Sequence, residues 1–254
     1  MTNLSDNHQR LLDGVPLPAG ADIAEATVAY EHDGQPLEGY AAHDAAVGGP
    51  KPAVVVVHDW TGLREYPKAR AQMLARLGYY AFAADLYGTG RRFDNPGDAA
   101  AEAGKYYGDL PLLRARVRAA YDQVAQNPAV DPDRIAVIGY CFGGAAALEF
   151  ARTGAPLAGT ATFHGGLIPH DPPEVGAITG SVLVLHGGAD PYVTDETVVA
   201  VENELRTRPE LDWQVTVYSG AVHGFTLPGE AYHPAADRRS WRELVAFLGE
   251  AFSR

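Results

Sequence analysis

The apolar positions of this chain change rhythm after the first fifty residues. Ala26-Thr-Val-Ala-Tyr30 and Leu37-Glu-Gly-Tyr-Ala41 are short β-like runs separated by His32-Asp-Gly-Gln-Pro36. Asp33-Gly34 supplies the positive φ of a tight turn, so the two runs predict an antiparallel hairpin. Ala53-Val-Val-Val-Val57 is instead continuous and β-branched, the pattern of a strand buried on both faces of a parallel sheet. Tyr79 to Ala84, Arg134 to Ile138, Gly159 to Phe163, Ser181 to Leu185 and Trp213 to Tyr218 read as further strands.

Helical spacing fills the intervals. Glu65 to Leu77 places Ala69, Met73, Leu74 and Leu77 on one side. Pro96 to Tyr107 and Pro111 to Gln126 each begin with a proline, which needs no amide donor in a first helical turn. Gly143 to Ala151, Thr194 to Leu205 and Arg238 to Phe252 complete the set. This alternation predicts an α/β fold: a mostly parallel sheet with helices on both faces and an N-terminal antiparallel hairpin. No repeat, low-complexity tract or linker interrupts the 254 residues, so a single domain over 1–254 is expected.

Composition narrows the functions available. Hydrophobic residues make up 46% and charged residues 20%, enough apolar material for one core in a soluble globule. The formal charge of −12 repels phosphate backbones and anionic lipid, which argues against nucleic acid or a membrane as partner. Met1 to Leu12 lacks the apolar run of a signal peptide, and Ala53 to Val57 is too short to span a bilayer. The single cysteine rules out an internal disulfide framework. A cytoplasmic location is expected; the oligomeric state stays open.

The most informative segment is Arg134-Ile-Ala-Val-Ile-Gly-Tyr-Cys-Phe-Gly-Gly144. A strand runs into Gly139-x-Cys141-x-Gly143 and a small-residue helix follows at once. This is the nucleophile-elbow pattern of α/β-hydrolases, with cysteine where serine is usual. The sharp turn forces the central residue into a strained backbone, so its neighbours two positions away must be small. The helix that starts there aims its amides and positive dipole end at the side chain, an environment suited to a thiolate. None of the serines sits in such an elbow.

A thiol nucleophile needs an imidazole to move its proton, and the imidazole needs an acid to hold its tautomer. Both are expected after Cys141, on loops at the carboxyl ends of later strands. Ser181-Val-Leu-Val-Leu185 empties into His186-Gly-Gly-Ala-Asp190-Pro191, and Trp213 to Tyr218 leads to Ser219-Gly-Ala-Val-His223. Asp190 and His223 are therefore the candidates. Asp195 is a rival acid, although Thr194-Asp195-Glu196 has the character of a helix N-terminus. His164, His170, His186 and His233 are rival bases, of which His164 and His186 stand at strand ends. One oxyanion donor is expected from the amide of Phe142, which follows the nucleophile. A second is expected from the Trp60 amide in the loop Val57-His58-Asp59-Trp60-Thr61-Gly62.

Taken together, His58-Asp-Trp-Thr-Gly62, Ala84-Asp-Leu-Tyr87, Gly139-Tyr-Cys-Phe-Gly-Gly144, Gly187-Gly-Ala-Asp190 and Val222-His-Gly-Phe225 resemble the dienelactone hydrolase family. The resemblance implies a Cys-His-Asp triad that hydrolyses a small ester or lactone through a thioester, without metal or cofactor. It also implies that an acid on the early loop holds the resting thiol. Asp59 stands there, where better-known members have glutamate. Members that act on dienelactone carry an arginine just after the Asp-Leu-Tyr motif and another shortly past the histidine. Here Gly88 follows Tyr87, and Gly224-Phe-Thr-Leu227 follows His223. Arg91 or Arg92 is the candidate substitute, and Tyr87, Tyr192 and Phe225 are candidate pocket walls.

Two rivals share parts of this pattern. Glutamine amidotransferases use a similar elbow but usually pair it with His-x-Glu, which occurs nowhere in the chain. A hydrolase-fold binding or sensing module would keep the reactive thiol without turnover.

Overall fold

The computed structural model describes residues 4–253. The first element, helix α1 (Asp6–Asp13), is absent from the sequence reading. It buries only Leu11 and Leu12. Its anchors are distant along the chain. Glu65 Oε2 accepts the Ser5 amide at 3.0 Å and contacts His8 Nδ1 at 2.9 Å. Arg76 Nη1 donates to the carbonyls of Leu12 and Val15 at 2.9 and 2.7 Å.

The hairpin follows as predicted. β1 (Ile23–His32) and β2 (Gln35–Asp44) pair antiparallel from Ile23 opposite Asp44 to His32 opposite Gln35. Asp33 and Gly34 turn the chain at φ of 48° and 73°, the twist-matched form of a two-residue loop. Next come β3 (Lys51–Val57), α2 (Glu65–Arg76) and β4 (Tyr80–Ala84). β4 runs parallel to β3 and antiparallel to β2. Val54 to Val57 and the whole of β4 are buried, as their unbroken apolar runs require.

α3 (Pro96–Tyr107) starts where the Asn95 side chain accepts from the amides of Gly97 and Asp98. α4 (Leu110–Ala125) starts where Asp109 accepts from Leu112. These caps satisfy amides that no helical carbonyl reaches. The remaining elements are β5 (Val130–Tyr140), α5 (Phe142–Arg152), β6 (Gly159–Phe163), a short 3-10 turn (Val175–Ala177), β7 (Ser181–Gly187), α6 (Asp195–Arg206), β8 (Trp213–Tyr218) and α7 (Pro234–Ala251).

By internal contacts the chain divides into two compact units, one ending at Ile135 and the other starting at Ala136. The division falls inside β5, so no linker separates them. The first unit orders its strands β1-β2-β4-β3. In the second, β5-β6-β7-β8 are parallel throughout, with Gly139 opposite Thr162, Phe163 opposite Leu185 and Gly187 opposite Tyr218. That register brings the carboxyl ends of β5, β6, β7 and β8 to one edge.

The second unit also buries an ion network that apolar patterning does not show. Arg152 of α5 donates to Glu149 at 2.5 Å and, through Nε and Nη2, to both oxygens of Glu204 on α6 at 3.1 and 2.8 Å. All three side chains are at most 2% exposed. His170 Nε2 contacts Glu149 at 2.8 Å, and the amides of His170 and Glu174 donate to Glu204. The loop before β7 is thereby fastened to two helices.

Candidate active site

Cys141 sits between β5 and α5 with φ 55° and ψ −116°, a conformation that disfavours any side chain. Its carbonyl accepts from Gly144 at 3.0 Å and Gly166 at 3.1 Å, and its amide donates to Phe163 at 3.0 Å. These bonds offset the strain. The approach is close enough that a Cβ on Gly139 would lie 1.9 Å from the Gly143 carbonyl oxygen. Phe142, fully buried, begins α5 directly after the cysteine.

The loops after β7 and β8 bring the two other candidates to this sulfur. His223 Nε2 lies 3.0 Å from Cys141 Sγ, and His223 Nδ1 lies 2.8 Å from Asp190 Oδ2. Asp190 Oδ1 accepts from the amides of Tyr192 and Val193 at 2.9 and 3.1 Å. The Asp190 side chain is wholly buried and that of His223 is 17% exposed. Burial alone would raise the Asp190 pKa, but the bonds from His223 and the two amides outweigh it and hold the carboxyl below its ordinary value. Burial alone would lower the His223 pKa. The hydrogen bonds to Asp190 and to the sulfur outweigh it and push it up to about 10.

Of the rival residues, Asp195, His233 and His170 serve other structures. Asp195 is the first residue of α6, behind the capping Thr194. His233 Nδ1 accepts the Ala236 amide at the start of α7. His170 bonds Glu149 in the ion network. His186 is buried on β7, and burial lowers its pKa. His164, buried with φ 39°, contacts Thr226 Oγ1 through Nε2 at 2.7 Å. Its ring stands 5.5 Å from that of His223, edge-on, and 5.2 Å from that of Phe225. His164 thus packs against the candidate base. The Tyr192 ring stands perpendicular to His223 at 5.5 Å on another side.

The early-loop residues belong to the first unit and have their own settings. Asp59 is buried, and its Oδ1 accepts from the Thr61 amide and hydroxyl at 2.8 and 2.6 Å. His58 bridges Asp59 O through Nδ1 at 2.6 Å and accepts the Leu86 amide on Nε2 at 3.2 Å. The Trp60 carbonyl accepts the Tyr87 hydroxyl at 3.1 Å. Asp85 organises the turn after β4 by accepting the amides of Glu38, Tyr87 and Gly88. The Ala84-Asp-Leu-Tyr87 motif is therefore a structural lock. Arg91 donates to Glu102 at 2.6 Å, and Arg92 donates to the Leu63 carbonyl.

Among the described residues, no cluster of three or more His, Cys, Asp or Glu is arranged to hold a metal ion. No described helix is long and apolar enough to cross a membrane.

A model of the dienelactone hydrolase family matches residues 37–252. A crystal structure from metagenomic libraries, described as the dienelactone hydrolase-like promiscuous phosphotriesterase P91, is 42% identical, with a TM-score of 0.87. That likeness covers 92% of this chain and 100% of the other. It carries the α/β-hydrolase fold that the strand and helix pattern predicts. Protein usf of Aquifex pyrophilus is 28% identical over 234 residues, 88% of this chain and 97% of its own. A Salmonella typhimurium protein provisionally named a carboxymethylenebutenolidase is 26% identical over 256 residues, 92% of this chain and 89% of its own.

Proposed function

The chain belongs to the dienelactone hydrolase family of ester- and lactone-cleaving hydrolases, and on that premise we propose that it hydrolyses small esters or lactones through a Cys141–His223–Asp190 triad. The observation that carries this reading is the continuous line from sulfur to imidazole to buried carboxylate, at 3.0 and 2.8 Å. Asp190 fixes the His223 ring with Nε2 towards the sulfur and stabilises the imidazolium.

In the proposed course, Cys141 attacks the acyl carbon while His223 holds the proton. The Phe142 amide, at the positive end of α5, receives the developing oxyanion. His223 then protonates the leaving alcohol, leaving a thioester. Water, deprotonated by His223, attacks the thioester and releases the acid.

The test is p-nitrophenyl acetate hydrolysis beside Cys141→Ala. A burst stoichiometric with protein, then steady turnover, both lost in the variant, is expected. A burst without turnover would indicate a binding or sensing module with a reactive thiol. Equal rates in the two proteins would place the chemistry elsewhere.

A second reading rests on the 42% identity to a structure described as a promiscuous phosphotriesterase. The same sulfur and imidazole are suited to displacement at a neutral phosphorus centre. Turnover of paraoxon that disappears in Cys141→Ala would support it; stoichiometric inactivation would limit it to modification of the thiol.

A further inference from the structure

Which esters reach Cys141 depends on the charge and shape of what surrounds it. The segments that carry or adjoin the triad, residues 139–144, 163–168, 186–193 and 219–228, contain no lysine or arginine. Asp190 is their only acid, and its charge is taken up by His223 and two amides. The rings beside the base are those of His164 and Tyr192, with Phe225 behind His164. Of these, Tyr192 is the exposed one, at 79%. It is an aromatic surface held against the base by a loop whose backbone is already bound to Asp190.

The cations that the sequence offers for a substrate carboxylate are committed within their own unit. Arg91 Nη2 is bonded to Glu102, whose side chain is 6% exposed, and its guanidinium lies over the Phe93 ring at 5.9 Å. Arg92 Nε donates to the Leu63 carbonyl, and Nη2 faces Glu38 at 3.5 Å. Position 88 offers no side chain, and its backbone would strain one. Gly88 has φ 131°, and a Cβ there would lie 2.8 Å from Gln35 Nε2 and 3.0 Å from Arg91 Cδ. The net charge of −12 adds a field that repels anions at long range.

We propose that the site selects uncharged substrates with a flat or apolar group, which the exposed ring of Tyr192 receives, and that it discriminates against substrates bearing a free carboxylate. This rests on Cys141 being the nucleophile. A carboxylate entering here would leave water and meet no cation besides His223, whose two ring nitrogens are already engaged by Asp190 and the sulfur, whereas an apolar group would gain the aromatic face. Tyr192 is then a specificity-determining residue that acts through its side chain, while its amide serves Asp190.

The experiment compares two substrates with the same acyl chain and leaving group, the mono-p-nitrophenyl ester of adipic acid and its methyl-capped diester. Near neutral pH they differ in one negative charge. The expected result is a kcat/KM at least about tenfold higher for the diester. An equal or higher value for the anion, lost in Cys141→Ala, would overturn the inference and leave the nucleophile intact. Release of neither product above the Cys141→Ala background would overturn the nucleophile assignment and the inference with it. Tyr192→Ala keeps the amide and removes the ring. It should raise KM for the diester about three- to tenfold with little change in kcat, and Tyr192→Phe should restore the native KM. An unchanged KM in Tyr192→Ala would remove the ring from the binding site.

Discussion

His223 Nδ1 meets Asp190 Oδ2 at 2.8 Å, while the second oxygen of that carboxylate is already bound by the amides of Tyr192 and Val193. The carboxylate therefore has one direction left in which to act, and it points at the imidazole. Asp190→Asn replaces an obligate acceptor with a group that can donate, which favours the wrong tautomer. In comparable triads such a change costs on the order of 10⁴-fold in kcat. A loss of roughly 10³–10⁴-fold is expected, with Asp195→Asn close to native in the same p-nitrophenyl ester assay.

The backbone at Cys141 makes a separate prediction about stability. At φ 55° and ψ −116° any Cβ is strained, so replacing cysteine by alanine removes the sulfur and keeps the strain. Cys141→Gly should be more stable than Cys141→Ala by about 1 kcal/mol, the reverse of the usual order. Urea unfolding of the two variants measures it. A more stable alanine variant would mean that the elbow is relaxed in solution.

Gly139 should tolerate nothing larger. A methyl group would collide with the Gly143 carbonyl, which is backbone and cannot swing aside. We expect Gly139→Ala to cost about 3 kcal/mol and to abolish the acyl-enzyme burst even where the protein remains folded. Retention of native activity would contradict the closeness of the turn.

The raised pKa of His223 ties stability to pH with a definite sign. Its value rises from 6.5 to about 10 on folding, so the protonated ring stabilises the folded chain. That contribution is whole below about pH 6.5 and is lost as pH rises through about 10. The difference in unfolding free energy between the native protein and His223→Gln should be flat at the acid end and should narrow across this window. A difference that widens with pH would show that the ring is neutral when folded.

Arg152 offers a test remote from the sulfur. Arg152→Ala leaves Glu149 and Glu204 buried without their shared cation. A loss of about 3–5 kcal/mol is expected from chemical denaturation. Arg152→Ala combined with Glu204→Gln should lose less than the sum of the two changes, because it removes one of the stranded charges.

Much of this was legible in the residues. Short β-like runs on either side of Asp33-Gly34 locate the hairpin, and unbroken valines locate β3, because in each case local chemistry agrees with the strand that forms. Cys141, Asp190 and His223 could be singled out because the elbow demands glycines at set distances and strand ends are where parallel sheets present side chains. What local pattern misses depends on distant partners. α1 has two apolar anchors, and its remaining hold comes from Glu65 and Arg76. Glu149 and Arg152 are charged residues beside an alanine-rich run, yet both are buried because Glu204 on α6 completes their charge. The place of His164 follows from Thr226 and a positive φ, neither of which its strand-end position announces.

The two-oxygen grip of Arg152 on Glu204 has a mechanical consequence. A planar guanidinium held in parallel by both carboxylate oxygens resists sliding as well as separation. The helix that begins just after Cys141 and the helix that begins just past the Asp190 loop are consequently pinned in register at their far ends. The spacing from sulfur to acid then behaves like the jaw of a caliper whose pivot lies away from solvent. Thermal loosening at the pivot would be read out at the tips, as misalignment of the imidazole, before the strands themselves part.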